Sequence, residues 1–449
     1  MPGVTAAPVG CGCQMPAAET GGSPDSFKIT SARNFNREIL KAQIPLQPHS
    51  PLASGVLSQV GADVTTMSAL QRGFGPEGST AAERARTIAR LDIAPIAVGL
   101  TESFAISKGT VATAQNVLVR VVLQDGSAGY GEAAPFEVIT GETQDSTLGA
   151  LQAMIATVTG RDAAGWRVLA ADLRSQLPGA AAARCAVEQA VVDALARHLG
   201  LSLPAFLGGV PHELMTDITI PVGDVRHSVE AAHHAEASGF KTVKVKIGAD
   251  DWEVDVARVV AISQAAPELF IIVDGNAGFS RSQAHKFLDG VTGARAAVIL
   301  AEQPVAAPDI AGLAELEREH GIPVCADESV RCPEDAIRVA ECGGISSVNV
   351  KLMKCGVADA LDIITIARAA GMTGMIGGMV ETAVSMSFSA AVAAASYPFF
   401  SYIDLDTPLL MPKRFVRGGM RYSGPAVRLP RHATGTGVDA AAHFAASAG

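Results

Sequence analysis

The sequence contains no run of 18 or more apolar residues, about the length that a helix needs to cross a membrane. Basic residues are also scarce, since 35 lysines and arginines stand against 45 aspartates and glutamates, and the net charge is −10 at pH 7. A chain of this charge does not favour nucleic acid or an anionic membrane surface as a partner. We therefore expect no membrane segment and no nucleic-acid partner.

The seven cysteines are odd in number and are not arranged in the pairs that hold structural zinc. Cys11 and Cys13, which are nearest to each other in sequence, are too close together to form half of such a site. Thiols in this pattern are typical of a reduced protein inside a cell. The cysteines therefore predict a soluble intracellular protein.

Residues 1–90 have a composition of their own, rich in Ala, Gly, Pro, Ser and Thr and interrupted by turn signals such as "ETGGSPDS". They lack the apolar segment of a secretory signal. Arginines and serines with few acids fit a transit peptide, and a disordered tail fits the same composition. We predict a low-complexity extension, in a protein that is cytoplasmic, or organellar if the extension is a transit peptide.

From about residue 91 the pattern changes to that of folded domains. The segment "NVLVRVVLQDGSAGYGEAAPF" alternates apolar and polar residues on either side of a turn at Asp125–Gly126, which predicts a hairpin. The later segment "AARCAVEQAVVDALARHLGL" has helical spacing. Residues 91–212 are therefore predicted to form an α+β domain.

Eight short apolar segments then alternate with alanine-rich helical segments. The ends of successive segments from Lys246 to Asp404 are 24 to 28 residues apart, enough for a strand, a helix and two loops. Eight such units close a (β/α) barrel, predicted over residues 213–410. The alternative is an open doubly wound sheet, but no glycine-rich phosphate loop supports it. Residues 411–449 are expected to complete the α+β domain and to end in a flexible tail.

Three consecutive barrel strands are predicted to end in acids, at Asp274, Glu302 and Asp327. Functional residues of such barrels lie at the carboxyl ends of the strands, so the three carboxylates should face one mouth. An all-oxygen set suits Mg²⁺, or Mn²⁺, better than zinc, which prefers histidine and cysteine. No histidine stands at a predicted strand end, and the sequence therefore predicts a magnesium or manganese site.

Four polar residues near these acids are candidates to hold the metal ligands in place. They are Asn276, Gln303, Glu328 and Asn349. Polar groups beside ligand carboxylates commonly make the hydrogen bonds that orient them. Glu328 is either a supporting residue of this kind or a further metal ligand.

Lys246 and Lys351 are predicted to end strands on opposite sides of the barrel mouth, and Lys244 points the same way as Lys246. A lysine next to other cations loses its proton more easily, so it can serve as a general base. With a substrate carboxylate on the metal, one lysine would remove the α-proton and the other would return it to the opposite face. The metal and Lys244 would stabilise the enolate.

The motifs "KVK", "DGN", "EQP", "ADES" and "NVKLMK" resemble those of the enolase superfamily, in its muconate-lactonizing subgroup, over about residues 92–438. The resemblance implies a modified (β/α)₇β barrel, TIM-like, covered by an α+β capping domain. It also implies Mg²⁺ on the three acids and acid/base roles for the two strand-end lysines. The mandelate racemase and sugar-acid dehydratase branches differ, since they use a His–Asp pair in place of Lys351.

The segment "SYIDLDTPLL" separates the reactions of this subgroup. Asp404 and Asp406 are two residues apart, so on a strand both would face the pocket and Leu405 would face away. Two carboxylates there would hold a cation, and the α-ammonium group of a dipeptide is the natural one. The sequence resembles dipeptide epimerases in this Asp-x-Asp pattern, and Thr219 resembles one of their substrate contacts.

The sequence therefore predicts an isomerase, a dipeptide epimerase that acts on a small-molecule dipeptide, and we expect a homo-oligomer. Muconate cycloisomerase, o-succinylbenzoate synthase and N-acylamino acid racemase are the alternatives within the subgroup, and a non-enzymatic barrel scaffold is the alternative outside it. In epimerases that act on Ala–Glu, an arginine of the capping loop holds the distal glutamate. Gly109 takes that position here, beside Lys108, so Lys108 is a candidate contact and specificity for Ala–Glu is not implied.

Overall fold

The computed structural model describes residues 80–106, 109–249, 251–412 and 415–445. All described residues belong to one compact unit, Phe74–Gly449. Most of the predicted N-terminal extension lies outside the described residues and stays a prediction. Within the described part of the chain, no helix is both long and apolar enough to span a membrane.

The fold begins with a short helix, α1 (Ala81–Ala85), and a three-stranded antiparallel sheet in the order β1-β2-β3. The strands are β1 (Ile88–Ile106), β2 (Gly109–Leu123) and β3 (Ala128–Ala133). The predicted hairpin is confirmed as β2 and β3, with its turn at Asp125–Gly126. β1 is harder to read from the sequence because it contains Pro95, and proline removes a ladder donor. The structure accommodates Pro95 because β1 is an edge strand.

Five helices follow this sheet. They are α2 (Glu137–Thr140), α3 (Gln144–Val158), α4 (Trp166–Gln176), α5 (Ala181–His198) and α6 (Leu203–Phe206). The backbones of α5 and β3 are in close contact, since a Cβ placed on Gly131 would lie 2.0 Å from the carbonyl oxygen of Ala186. Every residue of α5 from Ala182 to Ala196 is buried, so this helix is an internal element of the fold.

Replacing Gly131 by alanine is expected to destabilise the protein, because the added methyl group would overlap the backbone of α5. Overpacking of this kind costs about 1–3 kcal/mol, or more. Denaturant unfolding followed by circular dichroism measures the free energy of unfolding. Gly149→Ala is the matched control, since Gly149 is exposed in α3 and a Cβ there meets no atom within 4 Å. The control should be neutral or slightly stabilising, and equal effects of the two substitutions would contradict the close packing.

A short strand, β4 (Leu214–Met215), leads into an eight-stranded parallel sheet whose spatial order follows the sequence. Its strands are β5 (Ile218–Ile220), β6 (Thr242–Lys246), β7 (Phe270–Asp274), β8 (Val298–Glu302), β9 (Val324–Ala326), β10 (Ser347–Lys351), β11 (Thr373–Gly377) and β12 (Phe400–Ile403). Each of the eight predicted barrel strands is therefore confirmed, and so is the α/β class of the fold.

Helices connect the strands of the parallel sheet. They are α7 (Val225–Ala237), α8 (Trp252–Ala265), α9 (Arg281–Gly293), α10 (Ile310–His320), α11 (Pro333–Cys342), α12 (Leu352–Cys355), α13 (Val357–Ala369) and α14 (Ala383–Ala395). Three of them, α12, α13 and α14, pack against α5. The buried helix of the capping domain is therefore shared with the barrel.

The two ends of the parallel sheet, β5 and β12, are joined by hydrogen bonds beside the strands. The amide of Asp217 donates to the carbonyl of Ile403 at 2.9 Å, and the amide of Leu405 donates to the hydroxyl of Thr216 at 2.9 Å. These contacts hold the first and last strands together, as a barrel requires.

An apolar cluster on β7, β8, β9 and β11 consists of Ile272, Leu300, Cys325 and Met375.

The C-terminal residues form β13 (Arg417–Gly418), β14 (Arg421–Ser423), β15 (Ala426–Arg428) and β16 (Val438–Asp439). β15 pairs with β4, whereas Val438, Ala440 and Phe444 pack on the capping sheet. The ring of Phe444 lies 6.2 Å from that of Tyr130 on β3, and the Arg120 guanidinium of β2 lies 4.7 Å above the Phe444 ring. This packing is consistent with the predicted role of residues 411–449, while the exact domain boundaries stay predictions.

Candidate active site

The predicted acids and strand-end lysines stand side by side at one edge of the parallel sheet. Lys246, Asp274, Glu302 and Lys351 are the last residues of β6, β7, β8 and β10, and Asp327 stands one residue beyond β9. In the ladder, Lys246 lies opposite Asp274, which lies opposite Glu302. Parallel strands end at the same mouth of a barrel, so the structure brings these five residues together.

Lys244 is the most buried of the pocket lysines, with a side chain that is 1% exposed. Its Nζ lies 3.0 Å from Asp274 Oδ2, 2.7 Å from Glu302 Oε2 and 2.8 Å from Asp404 Oδ2. Lys246 Nζ donates to Asp274 Oδ2 at 2.6 Å. These buried charges are compensated because each ammonium group has at least one carboxylate partner.

Two further lysines hold the third acid. Lys351 Nζ donates to Asp327 Oδ2 at 2.7 Å, and Lys354 Nζ donates to Asp327 Oδ1 at 2.6 Å. Lys354 also donates to the carbonyl of Asn349 at 2.9 Å. The sequence does not single out Lys354, although it closes the motif "NVKLMK". It reaches the site because α12 begins directly after Lys351, and one helical turn brings its side chain back to the strand end.

Burial raises the pKa of Asp274 and Asp327, but the neighbouring lysines outweigh burial and hold both below their usual range. Burial and the charge of Asp274 raise the pKa of Glu302 to about 7. Burial favours the neutral form of Lys244 and Lys351, yet the carboxylates outweigh it and raise the pKa of both. The acids, rather than the other lysines, dominate the field at these two ammonium groups.

The carboxylates of Asp274, Glu302 and Asp327 fit a hard divalent cation. All three are at most 2% exposed, and they offer only oxygen ligands. Glu302 Oε2 is buried without an aligned hydrogen bond, although Lys244 Nζ lies near it. An oxygen in that position is suited to coordinate a cation.

A second acidic cluster lies beside the first. Asp217, Asp404 and Asp406 are buried, and carboxylate oxygens of the three lie within 4.8 Å of one another. Both carboxylate oxygens of Asp217 lack a hydrogen-bond partner among the described residues, and burial raises its pKa. This cluster also suits a cation. The sequence does not point to Asp217, because this residue precedes β5 instead of following the end of a strand.

Asp404 and Asp406 line the pocket as predicted, but the prediction that they lie on a strand is wrong. β12 ends at Ile403, and both acids follow it. Their side chains reach the pocket because the chain beyond β12 turns towards β5, where Asp406 Oδ2 accepts a hydrogen bond from the amide of Thr219 at 2.6 Å. Thr219 also lines the pocket, so the structure places three of the four predicted substrate contacts together.

Asn349 and Asn276 orient two of the predicted ligands. Asn349 Nδ2 donates to Glu302 Oε1 at 2.7 Å. The backbone amide of Asn276 donates to Asp274 Oδ1 at 2.9 Å, and its side chain donates to Glu328 Oε1 at 3.4 Å. Glu328 Oε2 is buried without a hydrogen-bond partner among the described residues, so a role in binding a cation is open to it.

Gln303 acts on the third ligand through the backbone. Its Oε1 accepts hydrogen bonds from the amides of Asp327 at 2.9 Å and Ser329 at 3.1 Å, and its Nε2 donates to the carbonyl of Val305 at 2.9 Å. The backbone of Gln303 is left-handed, with φ of +34°, a conformation that non-glycine residues rarely adopt. The hydrogen bonds of the Gln303 side chain therefore link the loop after β8 to the loop after β9. They offset the backbone strain at Gln303 and position Asp327.

The pocket above these charges has a volume of about 490 Å³, its open mouth included. Part of its wall is apolar, consisting of Phe136, Ile139, Met379 and Val380. Phe136 and Ile139 follow β3, so the capping domain and the barrel both shape the pocket. Lys108 lies outside the described residues, and its predicted contact stays a prediction.

Two family descriptions match the chain. "Mandelate racemase / muconate lactonizing enzyme, N-terminal domain" matches residues 90–208, and "Enolase C-terminal domain-like" matches residues 227–443. The first covers the capping sheet with its helices, and the second covers most of the barrel.

An aromatic dipeptide epimerase from Herpetosiphon aurantiacus is 45% identical over 343 residues, which cover 76% of this chain and 96% of the relative. The solved dipeptide epimerase from Enterococcus faecalis, complexed with Mg and L-Leu-L-Tyr, is 30% identical with a TM-score of 0.75, covering 79% of this chain and 99% of that one. A substrate complex of the L-Ala-D/L-Glu epimerase from Bacillus subtilis is 34% identical with a TM-score of 0.76, covering 78% and 98%. The chain therefore belongs to the mandelate racemase/muconate lactonizing enzyme family of the enolase superfamily.

Proposed function

We propose that the protein is a Mg²⁺-dependent dipeptide epimerase. The observation that carries this proposal is a single pocket that holds two kinds of group. Lys246 and Lys351 provide acid/base chemistry, and the paired carboxylates of Asp404 and Asp406 provide a site for an ammonium group. The two relatives named as dipeptide epimerases and the L-Ala-D/L-Glu epimerase from Bacillus subtilis support the same reaction.

Asp274, Glu302 and Asp327 would hold the metal. Mg²⁺, when bound there, supplies positive charge that stabilises a substrate carboxylate as negative charge develops on it. The Mg in the Enterococcus faecalis relative supports the choice of ion. Mn²⁺ has the same preference for oxygen ligands and is the natural substitute.

Lys246 and Lys351 approach the pocket from strands that are separated by β7, β8 and β9. One Nζ takes the α-proton, and the other delivers a proton to the opposite face, which inverts the carbon. Asp274 accepts from Lys246 at 2.6 Å and Asp327 accepts from Lys351 at 2.7 Å, so each base is held by a predicted metal ligand. A lysine whose carboxylate partner is drawn to a divalent cation gives up its proton more readily.

The second acidic cluster would bind the α-ammonium group of the dipeptide. Asp404 already accepts from Lys244 at 2.8 Å, and Asp406 accepts from the amide of Thr219. Asp217 contributes a third buried carboxylate next to them. Buried carboxylates are stabilised by a bound cation, so the free amino terminus of a dipeptide complements this end of the pocket.

An apolar side chain on the dipeptide fits the remaining wall. Phe136, Ile139, Met379 and Val380 line the pocket between the cap and the barrel. Burial of apolar substrate area against them contributes about 25 cal/mol per Å². Incubating a dipeptide library in D₂O and reading mass shifts would show whether peptides with apolar side chains exchange their α-proton faster than peptides with acidic ones.

Acetylation of the amino terminus is expected to make an accepted dipeptide a poor substrate, because it removes the cation that Asp404 and Asp406 would bind. An interaction of this kind is worth about 1.5–3 kcal/mol, or roughly 10- to 150-fold in kcat/KM. The double variant Asp404→Asn, Asp406→Asn should lose a similar factor with the free dipeptide. Turnover is followed by polarimetry for the free and acetylated forms of one peptide.

Equal turnover of the free and acetylated peptides would contradict the ammonium site and favour the N-acylamino acid racemase. Muconate cycloisomerase and o-succinylbenzoate synthase activity are tested on the same enzyme with their own substrates. A non-enzymatic scaffold would show no α-proton exchange with any member of the library.

We also propose a homo-oligomer, which analytical ultracentrifugation of the full chain tests.

A further inference from the structure

A group of three side chains that could hold a metal ion lies on the outer helices of the barrel, outside the pocket. His285 is on α9, and Glu319 and His320 are the last two residues of α10. One ligand atom from each of the three lies within 4.8 Å of the others. The two helices follow β7 and β8, the strands that end in Asp274 and Glu302.

The two imidazole rings point towards each other. His285 Nδ1 lies 2.9 Å from His320 Nε2, and Glu319 Oε2 lies 3.4 Å from His285 Nδ1. Each ring has a carboxylate near its other nitrogen, since Glu315 Oε1 lies 3.7 Å from His285 Nε2 and Asp289 Oδ1 lies 3.4 Å from His320 Nδ1. Histidines that bind metals commonly have their second nitrogen next to a carboxylate in this way.

The electrostatics of the cluster suit a cation. The side chain of His320 is 6% exposed, so this part of the cluster is shielded from water. The nearby arginines contact the carboxylate oxygens that face away from the histidines. Arg318 Nη2 lies 3.7 Å from Glu319 Oε1, and Arg281 Nη1 donates to Glu315 Oε2 at 3.0 Å. Glu319 Oε2 remains directed at the imidazole pair.

We propose that His285, Glu319 and His320 form a binding site for one zinc-type transition-metal ion that links α9 to α10, with water as the fourth ligand. Two imidazoles and one carboxylate are a typical ligand set for zinc, and they distinguish this site from the all-oxygen acids of the pocket. The alternative is a simple hydrogen bond between the two rings, with one nitrogen protonated.

The test is calorimetric titration of the full chain with ZnCl₂ in the presence of excess Mg²⁺, which occupies hard oxygen sites. His285→Ala and His320→Ala should each bind one zinc ion fewer than the wild type. His234→Ala is the matched control, since His234 is an exposed histidine on α7, and it should bind zinc as the wild type does. Zinc should also raise the thermal unfolding midpoint of the wild type and the control, but not that of the other two variants.

The test depends on the difference in bound zinc between each variant and the wild type, and not on the total. Residues 1–79 contain Cys11, Cys13 and His49, which are also able to bind zinc. Co²⁺ titration gives an independent readout, since tetrahedral coordination produces intense visible absorption that both histidine variants should lack. The proposal is overturned if either histidine variant binds as much zinc as the wild type, or if the wild type binds none. Circular dichroism of each variant confirms that a lost site is not a lost fold.

Discussion

Lys351→Ala and Lys246→Ala are each expected to abolish epimerisation, lowering its rate by roughly 10²- to 10⁴-fold, the usual contribution of a general acid or base. The two lysines lie on opposite sides of the acidic strand ends, so neither can replace the other. Each variant should still exchange the α-proton of one stereoisomer with D₂O, because one base remains. Epimerisation is followed by polarimetry, and exchange by mass spectrometry.

The two variants should exchange the α-proton of opposite stereoisomers, and this difference is the most specific test of the two-base mechanism. Lys241→Ala is the matched control, since Lys241 is exposed just before β6 and should leave both rates unchanged. Asp327 keeps Lys354 as a partner in the Lys351 variant, so loss of one lysine does not leave this acid unpaired. If either variant epimerised its substrate at nearly the wild-type rate, the two-base assignment would be wrong.

Removal of the divalent cation with EDTA should also abolish activity, and Mg²⁺ or Mn²⁺ should restore it. Asp274→Asn, Glu302→Gln and Asp327→Asn keep the size of each side chain but remove a charged ligand. Loss of a residue that hydrogen-bonds to a metal ligand lowers metal affinity by roughly 10- to 100-fold. Loss of a ligand charge should lower the Mg²⁺ affinity by more than this. Isothermal titration with MgCl₂ measures this affinity without reference to activity.

Asp217→Asn is the informative comparison, because the two acidic clusters lie side by side and either is suited to a cation. We expect this variant to keep its Mg²⁺ affinity and to bind dipeptides more weakly. The reverse pattern, with Mg²⁺ affinity lost in Asp217→Asn and kept in Asp274→Asn, would exchange the roles of the two clusters. Full activity after exhaustive chelation would refute the metal requirement altogether.

The strands and the charged residues at their ends could be predicted from two repeating patterns, the alternation of residues within a strand and the spacing of successive strands. Alternation within "KTVKVKIG" separates the buried valines from Lys244 and Lys246, and the repeat of 24 to 28 residues places Asp274 and Glu302 at the same edge. Both signals depend only on the geometry of strands and on the length of a β/α unit, and they therefore predict positions accurately.

Residues outside regular strands could not be placed in this way. Lys354 reaches Asp327 through a single helical turn, and Asp217 joins the acidic cluster only because β5 and β12 meet in space. Asp404 and Asp406 were placed correctly in the pocket for a reason that fails, since they follow the strand instead of lying on it. Contacts across the ends of the sheet depend on tertiary closure, which no local pattern encodes.

The buried helix α5 has a consequence for how the molecule folds. It is enclosed along nearly its whole length, by β3 on one side and by α12 and α13 on the other. Neither the cap nor the barrel can then complete its own core without it, since every residue of the helix from Ala182 to Ala196 is buried. The two regions should therefore unfold in one cooperative transition, and the walls of the pocket keep a fixed relation to Lys246 and Lys351 as long as the protein is folded.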